Sequence, residues 1–90
     1  MSSTALPGGD LIETGLEDLA RERETAAALL VSIGAPRLRR LGHALPRTMP
    51  QPERRLYELL SQTDAATAHG RYNALIRRLV SFERAAECVR

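Results

Sequence analysis

Residues 10–33, DLIETGLEDLARERETAAALLVSI, carry the longest uninterrupted helical pattern in the chain and constrain the fold more than any other stretch. Ile12, Leu16, Leu19, Arg23, Ala26, Leu30 and Ile33 recur at alternating steps of four and three. That spacing places all seven on one face of an α-helix. Asp10 and Glu13 stand where an N-cap and its reciprocal carboxylate belong. Gly15 costs the helix about 1 kcal/mol relative to Ala, which the apolar seam and the i,i+4 pair of Glu17 and Arg21 can offset. Gly34 supplies a left-handed terminating residue, and Pro36 stops continuation while opening the next helix.

Size sets a limit on that helix. Twenty-four unbroken residues would span about 36 Å. A compact chain of 90 residues is only about 31 Å across. Either the helix breaks near residues 21–24, where the pattern is most polar, or a second copy covers the overhang. The sparse core points the same way, since Phe82, Tyr57 and Tyr72 are the only aromatic residues. Leu, Ile, Val and Ala must then build a single domain from residues 10–90, and a chain this short buries only about 60–65 % of its unfolded surface.

The remaining elements follow from their punctuation. Residues 1–9 have no periodicity and are rich in Ser, Gly and Pro, so they read as a disordered leader outside the core. A short helical turn covers residues 36–41 and ends at Gly42, with Leu38 and Leu41 inward and Arg37, Arg39 and Arg40 outward. HALPRTMPQ, with Pro46 and Pro50, is an irregular surface connection long enough to cross the domain. Pro52 and Glu53 open a third helix through about Gln62, with Leu56, Leu59 and Leu60 inward and Arg54 paired to Glu58. Residues 64–69 form a short Ala-rich turn, and Gly70 either interrupts or delimits the last helix. In that helix Tyr72, Leu75, Leu79, Phe82, Ala86 and Val89 repeat the spacing of the first. The expectation is an all-α fold, a small bundle of four to five helices with long antiparallel first and last helices.

Charge is unevenly distributed along the chain. All thirteen basic residues are arginine. Residues 1–33 hold six acids and two arginines, whereas residues 34–90 hold eleven arginines and five acids. Opposite halves of one small domain can attract each other in this arrangement. It also suits a self-complementary oligomer or a basic surface for nucleic acid.

Two constellations merit placement in space. Arg23 in the first seam and Glu83 beside the last one would meet if their helices ran antiparallel, a pair that could set register or partner identity. With Leu16, Leu19, Leu75 and Leu79 they form the expected interface of a homodimer, or of a complex with another protein. The second constellation lies in residues 56–84, which have the outline of a helix-turn-helix. There Arg71, Asn73, Arg77 and Arg84 would face a groove, because Arg and Asn make the bidentate contacts that read guanine and adenine.

Several classes of chemistry lack their residues. His43 and His69 have no neighbouring Cys or acidic ligands at metal spacing, so no metal site is expected. Cys88 has nothing nearby to activate it or to pair with, and Gly8 and Gly9 do not make a phosphate loop, so no cofactor is expected either. No apolar run reaches the ~18–20 residues of a membrane span, which leaves no membrane partner and the cytoplasm as the expected compartment. The leading expectation is a non-catalytic interaction module in the form of a homodimer, and the alternative is a nucleic-acid-binding protein.

Overall fold

A computed structural model describes residues 5–89 of the chain. Among them the protein is all-helical, with α1 Gly9–Ala20, α2 Ala26–Ile33, α3 Ala35–Arg40, α4 Pro52–Thr63 and α5 Ala68–Cys88. The molecule measures 38 × 24 × 18 Å with a radius of gyration of 12.5 Å, close to the ~12 Å of a compact chain this long.

The 24-residue helix is broken, at the polar stretch where a break was one of the two solutions to its length. Arg23 N–H donates to Asp18 O (2.8 Å) and Glu22 N–H to Leu19 O (3.0 Å). This is the Schellman pairing that satisfies the last carbonyls of a helix. Glu22 takes the left-handed position, at φ 59°. Thr25 then starts α2, accepting from Ala28 N–H (3.1 Å) while donating to Asp18 Oδ2 (2.8 Å). The end of α1 and the start of α2 are therefore tied through one carboxylate.

Breaking the helix lets its second half turn inward. Ala28, Leu29, Leu30 and Val31 are fully buried, and Ala27 and Ser32 nearly so. A helix apolar on every side belongs in the middle of a core, and α2 indeed packs against α1, α3, α4 and α5. The expected pairing of long first and last helices gives way to this hub. α1 is 12 residues long and packs mainly on α2, while α5 packs on α4 and α2. Ile12, Leu38, Leu56, Leu79 and Phe82 close around the hub, each at 4 % exposure or less.

The glycines divide by role. At Gly15 an added Cβ would stand 2.3 Å from Ala27 O, so the glycine is what allows α1 to lie against α2. Gly34 has φ −85° rather than the expected left-handed value. It is small because Leu79 Cδ1 would be 2.9 Å from a Cβ there. Gly42 does take the left-handed role, at φ 101°, while His43 N–H reaches back to Leu38 O (3.0 Å). Gly70 lies inside α5, which runs through it unbroken.

The N-terminal segment also departs from expectation. Residues 1–4 of the expected leader lie outside the described residues, but residues 5–9 do not. Leu6 packs against the core, Gly8 (φ 74°) passes close over Arg78 O, and Gly9 opens α1. Asp10 therefore sits in the first turn of α1 rather than capping it. The connection over residues 42–51 is irregular, as its prolines require. It is anchored by buried Leu45, by Arg39, whose guanidinium donates to Leu45 O (2.7 and 3.0 Å), and by Met49 N–H on Ser32 Oγ (3.1 Å).

Candidate nucleic-acid interface

Most arginines of the protein are engaged. Arg21 pairs with Glu17 (3.1 Å), Arg23 with Asp18 (3.8 Å), Arg47 with Glu22 (2.9 Å) and Arg54 with Glu58 (3.0 Å). Arg55 holds Glu24, and this guanidinium keeps the Glu24 carboxyl below the usual carboxylate range. Arg37 bridges Glu87 (2.5 Å) and Glu83 (3.4 Å). The outer side of α5 is different. Arg71, Arg77 and Arg78 are exposed and make no ion pair among the described residues. Arg84 is exposed too, forms no salt bridge among the described residues, and adds to the field that holds the Glu87 carboxyl low.

Helical geometry sorts these side chains into two rows. At about 100° per residue, Asn73, Arg77 and Arg84 fall within about 40° of one another. They lie opposite the buried line of Ala68, Leu79, Phe82 and Ala86. They form an outward ridge. Arg71 and Arg78 are seven residues apart, about 10 Å along the axis, and lie to one side of that ridge. They line an open groove with Ala26, Leu60, Ala74 and Leu75, where α5 meets α2 and α4. Asn73 Nδ2 lies 3.2 Å from His69 Nε2 one turn earlier.

The segment that reads as a helix-turn-helix lacks the middle helix. α4 passes to α5 through residues 64–67, where Asp64 Oδ1 accepts from Ala66 N–H (3.1 Å), and residues 68–69 already belong to α5. Arg71, Asn73, Arg77 and Arg84 are thus four positions on a single 21-residue helix, not a separate reading helix. Arg78 belongs with them, and its seven-residue spacing from Arg71 is the sequence signal for it.

Arg23 and Glu83 are not brought together. Arg23 is held beside Asp18 at the end of α1, and Glu83 is held by Arg37 of α3. The break before α2 carries Arg23 away from α5, and Arg37, expected to point outward, turns in to take its place. Glu83 is 4 % exposed. Burial pushes its carboxyl up, and Arg37 opposes that rise. Glu87 is held low, chiefly by its hydrogen bond from the same Arg37 guanidinium. The leucines expected at an interface mostly serve the core instead. Leu19 and Leu79 are buried, and Leu16 and Leu75 are packed against the core with part of their surface free.

Among the described residues no group of three His, Cys, Asp or Glu side chains converges on a metal position. His43 packs its ring on Phe82, at 5.7 Å between centroids, and Cys88 is exposed near the end of α5. No described helix is long and apolar enough to cross a membrane. Compared with protein families, curated proteins and solved structures, the chain matches none.

Proposed function

We propose that the protein is a small non-catalytic binding module whose partner is nucleic acid, held on the arginine-bearing outer side of α5. One observation carries this reading. Arg71, Arg77 and Arg78 are exposed and unpaired among the described residues, on a protein whose other arginines mostly have acidic or carbonyl partners. A closely spaced set of guanidinium forks without acids suits a polymer of repeated negative charge, to which arginine donates in bidentate fashion. Asn73 and Arg77 on the ridge add groups able to contact base edges.

Self-association has less to rest on. The overhang that called for a second copy is removed by the break at residues 21–25, and the aliphatic core closes within one chain. Tyr57 and Val89 are the only large apolar side chains counted as exposed among the described residues. Four acids of the first part of the chain, Glu17, Asp18, Glu22 and Glu24, are taken by Arg21, Arg23, Arg47 and Arg55.

The test is a salt titration of binding to labelled oligonucleotides by fluorescence anisotropy. With three free arginines, log K should fall with log salt at a slope of about −2.7 on duplex or about −2 on a single strand. Arg77→Ala with Arg78→Ala should flatten that slope by about 1.4 to 1.8. Absence of binding to any nucleic acid at low salt would end the proposal.

A further inference from the structure

We infer that the groove between Arg71 and Arg78, rather than the ridge of Asn73, Arg77 and Arg84, is the main contact, and that its occupant is a single strand. This rests on the nucleic-acid reading above and specifies the form of the ligand. Ala26, Leu60, Ala74 and Leu75 line the groove, with Arg71 and Arg78 as its only charged residues among the described ones. Leu60 is buried, Ala26 and Leu75 are half-buried, and both arginines are exposed and free of ion pairs among the described residues. An aliphatic trough lined also by two arginines suits a ligand that is part anion and part apolar face.

A nucleic-acid strand offers that combination when its bases are unstacked. The phosphodiester can accept from the forks of Arg71 and Arg78, and the neighbouring base can lay one face on Ala74 and Leu75. A duplex cannot fill the groove in this way, because its base faces are stacked inside the helix and only edges and phosphates are presented. The ridge would serve a duplex better, yet its arginines stand on a single helix. The floor is aliphatic, not aromatic. The base contact is therefore sequence-tolerant and adds little stacking energy, and the phosphate contacts dominate.

Two charge-matched substitutions separate groove from ridge. Ala74 lies three residues after Arg71 and four before Arg78, so Ala74→Glu sets a carboxylate between the two groove arginines. Asn73 lies four residues before Arg77 and only two and five residues from Arg71 and Arg78, so Asn73→Glu sets a carboxylate beside a ridge arginine and not beside the groove pair. Both positions are exposed on α5, and each new pair has helix-compatible spacing. Circular dichroism should therefore show both variants folded. Binding of an oligothymidylate, a duplex of mixed sequence and poly-glutamate would be measured at one low salt concentration. The expected result is that the oligothymidylate binds more tightly than the duplex, that Ala74→Glu weakens it about ten-fold or more, and that Asn73→Glu weakens it less than about three-fold. Preference for the duplex, or a larger loss from Asn73→Glu, overturns the groove assignment while leaving nucleic-acid binding intact. Binding of poly-glutamate as tight as the oligothymidylate overturns it in favour of an acidic protein partner. Failure of both nucleic acids to bind the unmodified protein removes the underlying reading as well.

Discussion

Gly15 and Gly70 are both glycines within helices, yet a methyl group would meet opposite fates at the two positions. At Gly15 it would stand 2.3 Å from Ala27 O and 2.8 Å from Val31 Cγ1, so α1 would have to move off α2. Overpacking of this kind costs about 1–3 kcal/mol and exceeds the ~1 kcal/mol gained in helix propensity. At Gly70 nothing lies within 4 Å of the added carbon. Gly15→Ala should therefore destabilise the protein by about 1–2 kcal/mol in urea unfolding, while Gly70→Ala should stabilise it by about 0.5 kcal/mol. Two stabilised variants would show that α1 is not in close contact with α2. Glu83 makes a second argument at this scale. Its folded-state carboxyl is raised by burial above the ordinary value of 4.5, so the native state holds the proton more tightly than the unfolded chain. Its contribution is complete below that ordinary value and is lost as pH rises through the raised one. Glu24 and Glu87 are lowered by Arg55 and Arg37. Their contribution has the opposite sign, and is lost as pH falls below the ordinary value. Glu83→Gln keeps the shape and leaves Arg37 paired with Glu87. Thermal melts should show the variant free of the decline above pH 4.5 that the parent shows, and an equal decline in both would remove Glu83 as its source.

The ends of α1 and α3 use the same hydrogen-bond pattern with different residues. At α3 the left-handed position is Gly42, where that conformation carries no Cβ penalty, and the sequence announces it. At α1 it is Glu22, for which the conformation costs about 1 kcal/mol. Glu22 pairs with Arg47, but the two side chains are 73 % and 81 % exposed, and such surface pairs contribute little. Glu22→Gly should therefore raise stability by about 0.5–1 kcal/mol in urea unfolding, and a loss would mean that the Arg47 contact outweighs the strained backbone. The same residue explains what the sequence concealed. A four-three pattern of apolar residues continued across positions 21–25 because Arg23 fell on the seam, and no glycine marked the stop. The length argument required either a break or a partner, and the polar stretch located the break correctly. The stronger clue was that AAALLVSI is apolar all round, which marks a central helix and not half of an amphipathic one. α4, the Gly42 stop and the Arg54–Glu58 and Glu17–Arg21 pairs were legible because each depends only on neighbours within about one turn. Arg37 with Glu83 was not, since that pair depends on where the break sends α2 and α3. The arginines of α5 could be named from composition and helical spacing, but their lack of acidic partners is a property of the folded surface.

Over the whole molecule, Glu17, Asp18, Glu22 and Glu24 of the acidic first third are taken by arginines outside α5, and Arg71, Arg77 and Arg78 have no acidic partner among the described residues. Glu22 and Glu24 reach across to Arg47 and Arg55, which joins the α1–α2 link to the long connection and to α4. Asp18 and Glu17 are taken by Arg23 and Arg21 beside them. These pairs are mostly at the surface, so each contributes about 0–1 kcal/mol and is screened by salt. The fold itself rests on the apolar cluster around α2, which salt does not weaken. Folding and binding should therefore respond to ionic strength very differently. Raising salt from about 50 mM to about 500 mM should lower unfolding free energy by less than about 1–2 kcal/mol. The same change should weaken nucleic-acid binding about 100- to 500-fold, from the release of counterions at Arg71, Arg77 and Arg78. Urea midpoints and anisotropy titrations in matched buffers measure the two quantities on one preparation. If stability collapsed in step with binding, loss of the complex would reflect unfolding, and the arginine face of α5 would no longer account for it. If binding fell while the urea midpoint held, the free charge on α5 would be the part of the molecule that salt acts upon.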